Sequence, residues 1–251
     1  MPGLGTALNV VAVLVGGTIG TLLGDRLPAR VRDVVTDGLG LVTLVVGGIN
    51  AAAVLDPALV DDVGRGVPLL VVLGSVVVGG AVGAALRLES RLEGLGAILQ
   101  RRFAGGGGVP ENRRRFIEGY VTASLVFCVG PLTVLGSLQD GIGEGIELLA
   151  LKSVLDGFAA LAFAASLGWG VVASAITVLV VQGSLTLVGV LVGEVMSEAQ
   201  VAALTATGGV LLLGVGLRLL RIKPLPVGDL LPALLVAPLL TGLLGATFLD
   251  S

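Results

Sequence analysis

Residues 151–193 read LKSVLDGFAALAFAASLGWGVVASAITVLVVQGSLTLVGVLVG. Two apolar runs, 151–168 and 171–193, are parted only by Gly168-Trp169-Gly170. Each run has the roughly 17–25 residues that a helix needs to cross a bilayer. The glycines supply a tight turn and the tryptophan an interfacial anchor. A sheet would leave backbone groups unpaired in hydrocarbon, and the alternation of a transmembrane barrel is absent. The stretch therefore predicts two membrane helices back to back. It also holds Lys152, Asp156 and Gln182. A charge inside a span costs at least ~2.5–3.5 kcal/mol on insertion scales. A chain that keeps such residues there pairs them, wets them or uses them.

The other residues agree with that reading. Of 251 residues, 55% are hydrophobic and 13% charged, and the mean hydropathy is +1.04. Soluble domains carry about 25% charged residues, so there is too little charge here to clothe a water-facing globule. Further apolar runs at about 4–23, 38–55, 67–86, 117–138, 200–220 and 229–248 bring the count to eight. The expected fold is an all-α polytopic membrane bundle of about eight helices, one transmembrane domain over 1–251. No basic n-region precedes the first run, and Gly24-Asp25-Arg26 follows it instead of a small-residue cleavage site. It reads as a span and not as a removed signal peptide.

Charge sets the orientation. Arg87, Arg91, Arg101, Arg102 and Arg113 to Arg115 lie between the third and fourth spans. Arg26, Arg30 and Arg32 follow the first, and Arg218, Arg221 and Lys223 the seventh. The remaining connections are acidic or uncharged, with Asp56, Asp61 and Asp62 against a lone Arg65, then Asp140, Glu144 and Glu147, then Glu194 and Glu198. With eight spans every basic connection falls on one side. That side is expected in the cytoplasm of an inner-membrane protein, with both termini outside. The long connection 87–116 has Leu88, Leu92, Leu95, Leu99 and Phe103 at helical spacing, which predicts an amphipathic surface helix. Gly105 to Gly108 then reads as a linker, and Arg113 to Arg115 as a stop held by anionic lipid.

Gly16, Gly20 and Gly24 recur every four residues, as do Ser75, Gly79 and Gly83, and Gly189 with Gly193. Such faces let helices approach closely, and they also permit a homodimer. A faint internal echo is present. Sliding the chain along itself sets Gly20, Leu22, Gly24, Thr36, Gly40, Val46 and Gly47 over Gly189, Leu191, Gly193, Thr205, Gly209, Val215 and Gly216. Spans 1–3 would then echo spans 6–8 in inverted orientation, an architecture many secondary transporters share.

The polar residues converge on the middle of the chain. Gly130 and Pro131 interrupt the fourth span, because proline lacks an N–H and clashes with the carbonyl of Phe127. The break either shapes the bundle or frees carbonyls for a cation. Ser137, Gln139 and Asp140 follow, with Asp140 at the edge of lipid. Lys152 and Asp156 are four apart and share a helix face, where each partners the other. Ser153, Ser166, Ser174, Gln182, Asn9 and Asn50 complete a candidate chamber, although an intramembrane amide also serves as interhelical glue. Cys128 is the single cysteine and reads as a small buried hydrophobe. With no histidine, no carboxylate pair spaced for one cleft and no nucleotide fingerprint, neither an enzyme nor a cofactor is indicated. Nothing resembles a nucleic-acid module.

The run Phe127-Cys128-Val129-Gly130-Pro131, then Leu135-Gly136-Ser137-Leu138-Gln139-Asp140-Gly141, then Lys152-Ser153-Val154-Leu155-Asp156-Gly157-Phe158, resembles the YqgA/YdfK-like family of bacterial multi-pass inner-membrane proteins. Ser174-Ala175-Ile176, Gln182-Gly183-Ser184 and the opening Gly5 to Gly20 extend the match over nearly the whole chain. The resemblance implies a membrane protein of unknown function, with a loose link to biofilm formation in one branch. It implies no substrate and no catalytic residue. Two readings follow. One is a transporter or channel for a monovalent cation or small polar solute, with Asp156 as acidic ligand and Lys152 as its switchable partner. The other is a non-transporting scaffold or regulator working through 87–116.

Overall fold

A computed structural model describes residues 2–24, 26–103, 110–129, 131–143, 145–192 and 196–249. Its helices are α1 (Leu4–Gly24), α2 (Ala29–Ala51), α3 (Pro57–Val63), α4 (Val67–Leu86), α5 (Leu88–Phe103), α6 (Pro110–Cys128), α7 (Pro131–Ile142), α8 (Glu147–Leu167), α9 (Trp169–Val192), α10 (Glu198–Leu219) and α11 (Ala233–Leu249). Short 3-10 turns lie at Ala52–Leu55 and Val227–Leu230. The described residues contain no strand. Seven helical stretches are long and apolar enough to cross a membrane. An eighth crossing results when α6 and α7, bent by 61° at their break, are taken as one broken span. The eight expected spans thus include a fourth that is broken where Pro131 predicts it. The Gly105–Gly108 linker, Gly193, Asp25, Glu144, Glu194 and Gly130 lie outside the described residues.

The chain is an all-α membrane bundle, and its helices are inside out relative to a soluble protein. On α1 the buried face is Gly5, Thr6, Asn9, Val13, Gly16, Gly17, Gly20, Thr21 and Gly24. The exposed face carries Leu8, Val11, Val15, Ile19 and Leu22. Large side chains face lipid, which is as apolar as they are, while small ones let backbones touch. Three local details differ from expectation. The second span starts at Ala29, directly after Pro28, because nothing in 29–38 breaks a helix. Residues 57–63 form a helix of their own, since Asp56 caps Ala58 N at 2.9 Å and Pro57 starts the first turn. On α5, Leu95 is exposed, whereas Gly96 and Gln100 are buried, and Gly96 meets Tyr120 and Ile117.

Two compact units are present, Met1–Leu39 with Arg91–Val195, and Gly40–Ser90 with Met196–Ser251. In the first, α1 lies along α8, and α9 packs on α1, α6 and α7. Its core includes Val13, Val121, Leu149, Val171 and Val178, with Phe127 edge-on to Phe163. Gly168, at φ +76, makes the predicted turn between α8 and α9, with Trp169 exposed beside it.

In the second unit the α2 segment from Gly40 runs antiparallel to α10. Gly40 meets Leu220, Gly216 meets Leu44, Gly47 meets Leu213, and Gly209 meets Ala51. Leu59, Val63, Val71, Ala199, Ala202, Ala203 and Ala237 form a core where α3, α4, α10 and α11 meet. Gly79 and Gly83 seat α4 on the backbone of Ala233 and Asp229. Glu89 accepts from Arg218 and from Gly228 N, and Asp229 caps Glu89 N at 2.8 Å.

Candidate functional site

The site is built on α8 of the first unit. Lys152 and Asp156, one helical turn apart, are 5% and 7% exposed. Lys152 Nζ donates to Asp156 Oδ2 at 2.5 Å. Asn9 Nδ2 donates to the same oxygen at 2.9 Å. Among the described residues no hydrogen bond reaches Asp156 Oδ1. Asn9 arrives there because of the glycines around it. A Cβ on Gly16, Gly20 or Gly24 would overlap the carbonyls of Gly157, Leu161 and Ala165 respectively. The four-residue glycine repeat thus lays α1 on the backbone of α8, and Asn9, on the same face, reaches the carboxylate. These glycines, like Gly79 and Gly83, are filled within the chain.

Helix α9 supplies the third wall. Thr6 and Thr186 share a hydroxyl hydrogen bond at 3.2 Å, and Gly17 lies against Val172. These two contacts fix an antiparallel register that sets Gln182 level with Asn9. Gln182 is fully buried, and neither its Oε1 nor its Nε2 has a partner.

The break between α6 and α7 makes the fourth wall. Val129 N closes α6 on Leu125 O at 2.9 Å. Pro131 cannot offer the N–H that Phe127 O would take in a continuous helix. Thr133 Oγ1 supplies it at 3.1 Å, so this carbonyl is capped by the chain itself. Helices α6 and α7 both pack on α8, and Phe127 meets Phe163 of α8 edge-on. Helix α7 is seated by Gly141 and Gly189 on α9 and by Gly136 on Leu149 of α8. Asp140, 2% exposed, accepts from Gly3 N at 3.1 Å through Oδ2, while its Oδ1 has no partner. Ser137 lies one turn earlier on that face, fully buried, with an unpartnered Oγ.

The remaining sequence candidates fall elsewhere or are already engaged. Ser153 and Ser174 donate to the carbonyls of Leu149 and Val171 on their own helices. Gln139 is half-buried on α7. Asn50 belongs to the second unit, where its backbone packs against Gly209. Gly130 is outside the described residues, and Pro131 begins α7. Thr6, Thr186 and Thr133 were missed. Thr133 has a readable signal, a hydroxyl placed just after the proline that orphans a carbonyl. The threonine pair emerges only once the helix register is known.

Four residues, Asn9, Ser137, Asp140 and Gln182, thus hold five buried polar atoms without a partner around one buried ion pair. Each such atom costs about 1–3 kcal/mol if left dry. Elsewhere Ser75, Ser153, Ser184, Thr205 and Thr241 each bond a carbonyl one turn back, while the hydroxyls of Thr122 and Thr207 are buried without a partner as well.

The chain is 34% identical over 234 residues to "Uncharacterized protein YqgA" of Escherichia coli (strain K12), covering 93% of this chain and 94% of that protein. It is 28% identical over 234 residues to "Uncharacterized membrane protein YdfK" of Bacillus subtilis (strain 168), covering 93% of each. No solved structure matches. The family model described as "Protein of unknown function (DUF554)" matches residues 4–242, and the chain belongs to that family.

Proposed function

We propose that the chain passes an ion or small polar solute across the bacterial inner membrane through the polar centre of its first unit. The observation that carries this reading is the set of five unpartnered buried polar atoms around Lys152 and Asp156. Hydrocarbon satisfies none of them, whereas a polar cargo or its water satisfies all. Asp140 bonds Gly3 at the start of α1, and Asn9, further along α1, bonds Asp156, which suits an entry route. The closed ion pair then corresponds to a cargo-free, occluded state, with Asp156 as ligand and Lys152 as the partner that gives way.

The glycine contacts of the second unit support an inverted repeat. Under the self-alignment of the sequence, Gly40 against Leu220 maps onto Gly209 against Ala51. Likewise, Gly47 against Leu213 maps onto Gly216 against Leu44. Each contact has a reciprocal twin, as a two-fold axis in the membrane plane requires. Such a repeat offers two equivalent packings, one open to each side. The basic connections are assigned to the cytoplasm and both termini to the outside.

The scaffold reading draws on a different observation, the closed Lys152–Asp156 pair, which also suits a purely structural tie. Labelling separates the two. Ser137→Cys, in a Cys128→Ala background, is expected to react with a membrane-impermeant thiol reagent added outside intact cells. A thiol at 137 that reacts only after denaturation would favour the scaffold.

A further inference from the structure

We infer that Asp140, Ser137, Thr6 and Thr186 form a binding site for one alkali cation where α1, α7 and α9 meet. The site is distinct from the Lys152–Asp156 pair: the α1 residues that bond the two carboxylates, Gly3 and Asn9, are separated by about 9 Å of helix rise. The inference deepens the transport reading by naming an ion for the route, and it rests on that reading only for the ion's passage.

Contacts within the first unit bring these side chains to one corner. Gly3 N donates to Asp140 Oδ2 at 3.1 Å, so the start of α1 meets the end of α7. Gly5 and Gly136 both rest on Leu149 of α8. The two helices therefore run antiparallel, and Thr6 and Ser137, the next residue in each, share one level. Thr6 and Thr186 join α1 to α9 through their hydroxyls at 3.2 Å, and Gly141 lies against the carbonyl of Thr186. At 3.6 residues per turn, Ser137 falls between Asp140, which faces α1, and Gly141, which faces α9. It is fully buried and directed into the corner that the threonine pair spans.

That corner offers oxygen and one surplus charge. Asp140 Oδ1 and Ser137 Oγ have no partner. The two threonine hydroxyls, bonded to each other, keep lone pairs to spare. Asp156 has Lys152 beside it, whereas among the described residues no cation pairs with Asp140. A buried carboxylate without a counter-charge is strongly unfavourable. A water bridging Oδ1 and Oγ would fill the hydrogen bonds and leave the charge. A monovalent cation answers both. A divalent ion recruits several carboxylates, and among the described residues no three of His, Cys, Asp and Glu gather. An anion would meet Asp140. An organic cation needs room, yet even a Cβ on Gly5 or Gly141 would overlap Leu149 or the Thr186 carbonyl.

The test uses the purified full chain in lipid nanodiscs, titrated with sodium, lithium or potassium chloride against choline chloride at constant ionic strength. One alkali ion is expected to raise the unfolding midpoint progressively, and choline is not. Asp140→Asn keeps an acceptor for Gly3 N and is expected to abolish the rise. Ser137→Ala keeps the charge and removes a hydroxyl that has no partner in the chain. Its midpoint in choline is expected at or above that of the wild type, while its alkali affinity falls about tenfold or more. A midpoint that no alkali ion raises above choline overturns the inference. A rise that survives in Asp140→Asn, or an affinity that Ser137→Ala leaves unchanged, also overturns it, because the ion then binds elsewhere. Solute flux in vesicles without alkali binding overturns the site and leaves the transport reading intact. Alkali binding that depends on Asp140 and Ser137, without flux of any species, supports the site and removes the transport reading.

Discussion

Asp156→Ala is expected to destabilise the folded chain by about 3–5 kcal/mol, the cost of leaving one member of a buried ion pair without its partner. Lys152 would stay at 5% exposure with no counter-charge on its own helix face. Asn9 would lose the acceptor of its Nδ2 as well. The double variant Lys152→Leu with Asp156→Leu removes both charges, and it is expected to recover most of the loss, since replacing such a pair by apolar groups is often neutral or stabilising. Reversible unfolding in mixed micelles reads both values. If the pair is only structural glue, the double variant folds and functions. If the pair is the site, it folds and is inert. An Asp156→Ala cost below about 1 kcal/mol would mean that the pair is wet and screened in the native protein.

Gly20→Leu is the second large effect. A Cβ at this position would sit on the Leu161 carbonyl, and the rest of a leucine side chain has nowhere to go. Overpacking usually costs about 1–3 kcal/mol. Here the obstacle is backbone, and Gly16 and Gly24 fix the same spacing on either side. Helix α1 must back away as a unit, which draws Asn9 from Asp156. The expected loss is therefore at the top of that range or above it, together with loss of any ligand response. Gly48 is the control, because nothing lies within 4 Å of an added Cβ there. Gly48→Leu is expected to change stability by less than about 1 kcal/mol. Equal effects at the two positions would refute the close packing of α1 on α8.

The sequence makes some of this legible and hides the rest for identifiable reasons. Span existence follows from length and hydropathy, which need no tertiary knowledge. The break at Pro131 and the turn at Gly168 follow from backbone chemistry local to one or two residues. The Lys152–Asp156 pair is readable because its members are one helical turn apart. Asn9 is different: its partner lies 147 residues away, and the two meet only through the register set by Gly16, Gly20 and Gly24. The glycine face was visible, but not what it faced. Asn50 is a different case. An amide in a span reads as a chamber residue, and only the fold shows which unit it belongs to. The helix at 57–63 was legible in principle from Asp56-Pro57, a cap followed by a proline, but the acidic run there reads first as a solvated loop.

Flux through the reconstituted chain tests most directly whether the buried polar centre moves something across the bilayer. Proteoliposomes holding wild type or Asp156→Asn would be assayed with a panel of alkali ions and small polar solutes, after each variant is shown to be helical and monodisperse. The expected result is wild-type flux of at least one species above empty vesicles, and none for Asp156→Asn. Wild-type-like flux in Asp156→Asn, or no flux of any species through the wild type, would contradict it.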